Sequence, residues 1–338
     1  MNVKKWVSFW FFLTIVILFA IAGFNYLIDP FSVNNNQLLS LKKAVGDDRN
    51  KKVSYVKNLK NIDNLILGSS RSRRINPKDV NDFLDGYTFN FSVESARPED
   101  YYGILLYLEK IGKVPKNIII GFDFDILRKG SPHTQFISNN ELNFTNATHT
   151  KSRLFFKYLN IDTFKFSIQT IYHNIFNTKE NKKFDSNNGF LFWHQRDDLI
   201  KRGEYNHFQK IKIHSKRHFK IVYSNGEYGD FSGKRIGYLK AIKSFVKKYN
   251  IKLYTYLTPV HCYHLDKIKT HKPLNNTLVK FKALLATQFN YLDFMVHNKY
   301  NCDEENFYDA VHQSYYINKL IVNDLFSSIL MYGKEQRF

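Results

Sequence analysis

Residues 64–70 read Asn-Leu-Ile-Leu-Gly-Ser-Ser, and this stretch does most to decide the fold. The apolar run predicts a short buried β-strand, and Gly68 followed by two serines predicts a sharp turn directly after it. A second run at 117–122, Asn-Ile-Ile-Ile-Gly-Phe, is continuously apolar rather than alternating. Strands of this kind are covered on both faces, which is typical of a parallel sheet flanked by helices.

The rest of the chain alternates such strands with helical patterns. We predict strands at 64–67, 87–91, 117–122, 252–257 and 291–294. We predict helices at 77–84, 98–111, 234–249, 276–288 and 314–330. This alternation predicts an α/β fold with a parallel sheet, and ligands of such sheets bind beyond the carboxyl ends of the strands.

The composition excludes several classes of protein. The chain has 338 residues, of which 43% are hydrophobic and 17% aromatic, so it can bury a substantial core and is not mainly disordered. Two cysteines are too few for a disulfide scaffold. A mean hydropathy of −0.40 with a single long apolar run excludes a protein with many membrane spans.

The formal net charge of +20 is typical of nucleic-acid-binding proteins, but also of a chain whose composition is rich in lysine. We favour the compositional interpretation, because the charge is spread along the chain and no nucleic-acid-binding motif accompanies it. A basic surface could still contact anionic lipid headgroups or an acidic polysaccharide.

The N-terminal segment predicts a membrane anchor over residues 1–30. Residues 6–28 are almost continuously apolar, and about 20 such residues cross a hydrocarbon core of ~30 Å. Lys4 and Lys5 precede the span and favour an N-terminus on the inner side. We therefore predict a single-pass protein of the inner (cytoplasmic) membrane, with its folded part on the periplasmic or extracytoplasmic side. A cleaved signal peptide with the site Ala20-Ile21-Ala22 is the alternative.

The remaining chain divides into two predicted parts, the second of which contains an insertion. Residues 31–60 are polar and charged, and they predict a stalk or a first surface helix. Residues 61–330 form the α/β domain. Within it, residues 130–225 break the alternation and are rich in aromatic residues, histidine and asparagine, so we interpret them as an insertion or cap.

Two short motifs could carry nucleophilic chemistry. Ser70 lies in the turn after the first strand, where a following helix would direct amide groups at it. Asp309 and His312, three residues apart, follow the last predicted strand and could supply an orienting carboxylate and a base. The structural alternatives are serines that cap the helix or bind an anion, and Asp309 as the cap of the C-terminal helix with His312 on the surface.

Three more turns lie at the same predicted edge of the sheet. They are residues 90–98, 121–125 and 258–261, which contain Ser95, Asp123 and His261. Their backbone or side-chain donors could bind an oxyanion. Asp123 and Asp125 could instead bind a divalent cation, but no third carboxylate lies nearby in the sequence. His261, His264 and His271 lack supporting acids, so we predict no metal site and no cofactor. Cys262 and Cys302 are compatible with a disulfide or with two buried thiols.

Taken together, these motifs resemble the SGNH/GDSL-type hydrolase superfamily, in the membrane-anchored, exported branch that is similar to the D-alanyl-lipoteichoic acid transfer protein and the alginate O-acetyltransferase group. The resemblance covers about 60–320, with 130–225 matching only loosely. It implies a flavodoxin-like three-layer α/β/α sandwich with a parallel sheet. It also implies that Ser70 is the nucleophile, His312 the base and Asp309 its orienting carboxylate. The oxyanion and substrate-binding positions implied in this way are Gly68, Arg71, Ser95, Asp123 and His261.

Two residues depart from the family pattern. Ser95 stands where the family often has a glycine, and Asp123 stands where it often has an asparagine donor. The sequence therefore leaves two functions open. One is a serine acyl hydrolase or O-acyltransferase that acts, through a covalent acyl-enzyme, on ester-linked acyl groups of cell-envelope carbohydrate or a lipid-linked sugar. The other is a catalytically degenerate scaffold in a polysaccharide acylation or assembly complex, with an integral-membrane acyltransferase as a possible partner.

Overall fold

The computed structural model of the chain describes residues 3–30, 48–133, 161–176, 182–223 and 230–336, together with positions 39, 41, 139, 141, 142, 158 and 159. The chain divides into two compact units. The smaller comprises Met1–Lys51 and Thr134–Glu180, and the larger comprises Lys52–His133 and Asn181–Phe338.

The described helices and strands alternate along much of the chain. The helices are α1 (Val3–Ile28), α2 (Asp48–Asn58), α3 (Pro77–Asn81), α4 (Pro98–Lys110), α5 (Ile161–Ile175), α6 (His194–Lys201), α7 (His207–His218), α8 (Gly233–Lys248), α9 (Cys262–Thr270), α10 (Lys272–Gln288), α11 (Lys299–Cys302) and α12 (Tyr315–Phe326). The strands are β1 (Asn64–Leu67), β2 (Thr88–Asn90), β3 (Asn117–Phe122), β4 (Lys182–Phe184), β5 (Leu191–Trp193), β6 (Lys252–Leu257), β7 (Tyr291–Asp293) and β8 (Lys334–Gln336).

The larger unit is built on a mostly parallel sheet with the strand order β2-β1-β3-β6-β7-β8. The first five strands in this order are parallel, and they correspond to the five strands predicted from the sequence. The edge strand β8 is antiparallel to β7 and was not predicted. Its residues, Lys-Glu-Gln, have none of the apolar character that marks a buried strand, so the sequence gives no signal for it.

Helices cover both faces of this sheet. On one face Ile119 of β3 packs in a cluster with Val80 of α3 and Ile321 of α12. On the other face the ring of Phe122 lies 6.4 Å from that of Tyr101 on α4 and 5.2 Å from that of Phe289, just after α10. Burial on both faces is the reason that the strand sequences are continuously apolar.

The predicted insertion at 130–225 is divided between the two units. The antiparallel hairpin of β4 and β5, with α6 and α7, belongs to the larger unit, and α5 belongs to the smaller one. A single π-helical turn, Phe219–Tyr223, continues α7.

In the smaller unit α1 packs against α5. The Asn25 side chain donates a hydrogen bond to the Tyr158 carbonyl at 2.6 Å and accepts one from Ser167 Oγ at 2.8 Å. Most of α1 is nevertheless exposed, and its 26 residues are long and apolar enough to cross a membrane.

Candidate functional site

The turn after β1 holds Ser70 at the carboxyl edge of the sheet. Gly68 makes this turn possible, because a Cβ atom at that position would lie 2.2 Å from Ser72 Oγ. Ser72 is fixed in turn by a hydrogen bond of 2.7 Å between its hydroxyl and that of Tyr256 on β6. The close approach of strand and turn therefore requires glycine at position 68.

Ser70, His312 and Asp309 form a continuous hydrogen-bonded chain. Ser70 Oγ lies 2.9 Å from His312 Nε2. On the other side of the imidazole ring, His312 Nδ1 lies 2.8 Å from Asp309 Oδ2. His312 lies 242 positions after Ser70 in the chain and three positions after Asp309, and the fold brings all three residues together. This is the arrangement of a nucleophile, a base and an orienting carboxylate.

Backbone hydrogen bonds hold the Asp309 carboxylate in place beside the imidazole. Asp309 Oδ1 accepts hydrogen bonds at 3.0 Å from the backbone amides of both Val311 and His312. The C-terminal helix α12 is capped by a different residue, since Ser314 Oγ accepts from the Ile317 amide. Asp309 therefore does not serve as the helix cap, and its second oxygen is available to His312.

The surroundings favour an ionised Asp309. Burial acts to raise the pKa of this carboxyl, but the His312 imidazole and the backbone amides outweigh it and hold the pKa far below its usual range. His214 Nδ1 lies 3.6 Å from Asp309 Oδ1, and its ring centroid lies 5.8 Å from that of His312. Burial lowers the pKa of His214, which favours its neutral form.

Ser70 and Ser95 line the same cavity. The backbone amide of neither residue has a hydrogen-bond acceptor within the described part of the chain. Ser95 has a φ angle of +50°, in the left-handed region that favours glycine. The backbone at position 95 is therefore of the kind that a glycine would adopt, although a serine occupies it.

Asp123 is held in a buried network with Arg71. Its carboxylate lies 3.6 Å from Arg71 Nε and accepts a hydrogen bond of 2.9 Å from Thr258 Oγ1, while Asp125 lies 3.8 Å from Arg71 Nη2. Burial raises the pKa of Asp123. For Asp125, burial has the same tendency, but nearby cations, Arg71 first among them, lower its pKa overall. The negative charge at position 123 is thus compensated by a guanidinium.

A cavity of about 380 Å³ opens over Ser70 and His312. Its wall is formed by Ser70 and His312, by the turns after β1, β2 and β3, and by residues of β5 and α7. The described lining residues are Ser69, Ser70, Arg71, Arg73, Glu94, Ser95, Ala96, Arg97, Asp123, Asp125, Ile126, Arg128, Trp193, His214, Arg217, His218, Val222, Val311 and His312.

Two of the site residues suggested by the sequence lie outside this wall. Gly68 is packed beneath the turn, against Ser72. His261 is buried at the start of α9, where its Nδ1 accepts a hydrogen bond from the Tyr263 amide. Neither residue is among the described residues that line the cavity. The structure therefore brings Arg71, Ser95 and Asp123 close to Ser70 and His312, but not His261.

Several residues that line the cavity were not predicted from the sequence as site residues. Trp193, His214 and His218 come from the segment interpreted only as an insertion, and Arg97 and Arg128 were not singled out. His214 and His218 are four residues apart, so they share one face of α7. That spacing is a sequence signal that could have identified them.

Two clusters of described side chains have the spacing of metal ligands. One donor atom each from Cys262, His297 and Cys302 lies within 4.8 Å of the others, and both cysteines are free thiols. The same spacing holds for His214, Asp309 and His312. A metal in the second cluster would compete with the hydrogen bonds of the Ser70–His312–Asp309 chain.

Comparison of the chain with models of known protein families and with curated proteins gives no match.

Proposed function

We propose that the protein is a serine acyl hydrolase or O-acyltransferase of the SGNH type, anchored to the inner membrane by α1 with its larger unit facing outward. Its substrates would be ester-linked acyl groups of cell-envelope carbohydrate. The observation that carries the proposal is the hydrogen-bonded chain from Ser70 through His312 to Asp309, at 2.9 and 2.8 Å.

The strand order supports the family assignment. Renumbered in chain order, the five parallel strands β2-β1-β3-β6-β7 follow the order 2-1-3-4-5, which is that of flavodoxin-like sheets. With helices on both faces this corresponds to a three-layer α/β/α sandwich. Ser70 follows the first strand, at the edge where such sheets bind ligands.

The first half-reaction would form an acyl-enzyme. His312 Nδ1–H donates a hydrogen bond to Asp309, so the lone pair of Nε2 can accept the hydrogen of the Ser70 hydroxyl. As Ser70 Oγ attacks the ester carbonyl, its proton moves to Nε2, and the carbonyl electron pair moves to oxygen. Collapse of the tetrahedral intermediate breaks the bond to the alkoxy oxygen, which takes the proton from His312 and leaves as an alcohol.

The second half-reaction would reverse these steps with a new acceptor. Water or a sugar hydroxyl gives its proton to His312 Nε2 and attacks the acyl carbonyl. The acyl group then leaves Ser70, whose Oγ regains the proton. Water gives hydrolysis and a sugar hydroxyl gives transfer, so the same three residues serve both reactions.

The unpartnered amides of Ser70 and Ser95 would stabilise the oxyanion. Backbone donors of this kind are typically worth about 10²–10³ in turnover. The glycine-like φ of Ser95 supports its assignment to the position that the family often gives to glycine. The Arg71 guanidinium beside Asp123 reduces the repulsion that this carboxylate would otherwise exert on a developing oxyanion.

A scaffold without catalysis is the second candidate, and Asp123 is the observation that favours it. A carboxylate lines the cavity where the related enzymes often have an amide donor. Such a protein would use the same cavity to bind polysaccharide or would associate with an integral-membrane acyltransferase.

The test is active-site labelling of the full chain in detergent. The protein should react with a fluorophosphonate probe and hydrolyse p-nitrophenyl acetate, whereas Ser70→Ala should lose labelling and about 10⁴–10⁶ of turnover. Ser328→Ala, an exposed serine outside the cavity, is the matched control. Absence of labelling in the parent, or equal rates in parent and Ser70→Ala, would reject the enzyme and favour the scaffold.

A further inference from the structure

The wall of the cavity has more cations than anions. Five arginines line it, Arg71, Arg73, Arg97, Arg128 and Arg217, against the three carboxylates of Glu94, Asp123 and Asp125. The described wall therefore has an excess of two positive charges, before any protonation of its histidines.

Each of these carboxylates already has an arginine partner. Asp123 and Asp125 both lie within 4 Å of the Arg71 guanidinium, and Glu94 lies 3.3 Å from Arg73 Nη1. Just behind the wall, Glu99 is likewise engaged, because Arg235 Nη2 donates to it at 2.8 Å. Asp125 and Glu99 also attract the Arg97 guanidinium, but their ion pairs are with Arg71 and Arg235.

Arg97 is the most unusual of the arginines. It is only 8% exposed, yet its Nη1 atom has no hydrogen-bond partner within the described residues. Arg128 Nε is also without a partner there. Burial, together with the positive charges of Arg128 and Arg235, lowers the pKa of Arg97 to about 10. A buried guanidinium with unused donors is costly unless a ligand supplies the acceptor.

We infer that Arg97 and Arg128 form an anion subsite in the cavity, and that the acylated saccharide carries a carboxylate or phosphate group that occupies it. This inference rests on the proposed function for the identity of the acyl ester, but the subsite itself rests on the arginines alone. Guanidinium groups bind both kinds of oxyanion through paired hydrogen bonds. Because the subsite and Ser70 line one cavity, the anion would also fix the saccharide relative to the nucleophile.

Binding measured without turnover tests the inference. The full chain carrying Ser70→Ala is titrated separately with glucuronate, glucose 1-phosphate and glucose. Binding is measured by calorimetry and by tryptophan fluorescence, since Trp193 lies in the wall of the cavity. At least one anionic sugar should bind about tenfold or more tighter than glucose. A preference for glucuronate or for glucose 1-phosphate identifies the anion as a carboxylate or a phosphate.

Substitution of the arginines locates the subsite. Adding Arg97→Gln or, separately, Arg128→Gln to Ser70→Ala should weaken the anionic sugar by about 10- to 100-fold and leave glucose unchanged. Arg202→Gln is the matched control, because Arg202 is exposed and pairs with Glu204 outside the cavity. Arg128 is only half-buried, so its variant remains informative if Arg97→Gln does not fold.

The inference is overturned if neither anionic sugar binds tighter than glucose, or if the two cavity variants bind them as the Arg202 variant does. These outcomes are independent of catalysis, since Ser70 is absent throughout. Anion binding without fluorophosphonate labelling would reject the enzyme and keep the subsite. Fluorophosphonate labelling without anion binding would keep the enzyme and reject the subsite.

Discussion

Substitution Asp309→Asn isolates the role of one hydrogen bond in the candidate triad. Asparagine can keep its Oδ1 as acceptor for the two backbone amides at 3.0 Å, so the local turn is preserved. The other oxygen, which receives His312 Nδ1 at 2.8 Å, is replaced by an NH₂ group that can only donate. Oδ1 also lies 3.0 Å from His312 Nδ1, but it already accepts from two backbone amides, so the closer NH₂ group favours an accepting Nδ1. The remaining proton of the ring then moves to Nε2. In that tautomer the imidazole cannot take the Ser70 proton.

The expected loss is large in activity and small in stability. In Ser-His-Asp enzymes the tautomer error costs about 10⁴ in turnover, equivalent to roughly 5.4 kcal/mol of transition-state stabilisation. The free energy of unfolding should change by about 1 kcal/mol or less, because the two backbone hydrogen bonds that fix the turn remain.

The assay compares kcat for p-nitrophenyl acetate with urea unfolding, for the parent, Asp309→Asn and the control Asp230→Asn. Asp230 is exposed and pairs with Lys129 outside the cavity. Asp309→Asn that keeps more than about a tenth of the parent activity would refute the role assigned to the carboxylate. A variant that loses activity only because it unfolds would be revealed by the urea curve.

Two further substitutions test the support of the site. Gly68→Ala places a Cβ atom 2.2 Å from Ser72 Oγ, so we expect about 1–3 kcal/mol of destabilisation and reduced labelling of Ser70; Gly233→Ala, where nothing lies within 4 Å, should cost neither, and equal urea midpoints for the two would contradict the argument. Burial and the neighbouring His218 hold the pKa of His264 well below 6.5. As the pH is lowered below about 6.5, the histidine is protonated in the unfolded chain before it is protonated in the folded one. The free energy of unfolding therefore decreases as the pH decreases. His264→Gln should flatten this dependence, measured by urea unfolding between pH 7 and about 4.5; an unchanged slope would show that His264 does not contribute.

Much of the fold follows from local sequence patterns. The five parallel strands are short apolar runs followed by turn residues, and burial on both faces leaves that pattern in the sequence. The edge strand β8 and the helix α9 leave weaker signals. The residues of β8 are polar. Helix α9 begins soon after the Thr258-Pro259 turn, so that its one histidine, His264, resembles a loop residue in the sequence.

The candidate site is predictable in part for the same reason. Ser70 and the pair Asp309 and His312 follow strands of a parallel sheet, and the carboxyl ends of such strands share one edge. The turns that follow the predicted strands also place Ser95 and Asp123 at this edge. The strand pattern does not place Trp193 or His214 there, because their positions depend on how β5 and α7 pack in the fold. The four-residue spacing of His214 and His218 shows only that these two share one face of a helix.

An apolar helix of spanning length, a core of buried parallel strands, and a serine, a carboxylate and a histidine beyond the ends of those strands all follow from the amino-acid sequence. The contact of 2.9 Å between Ser70 and His312 is visible only in the folded chain. The same is true of the burial of Arg97 near Arg128, while Asp125 and Glu99 form their ion pairs with Arg71 and Arg235. Strand patterns are local and are written in neighbouring residues, whereas hydrogen-bond distances and the balance of buried charge depend on residues far apart in the chain, which only packing brings together.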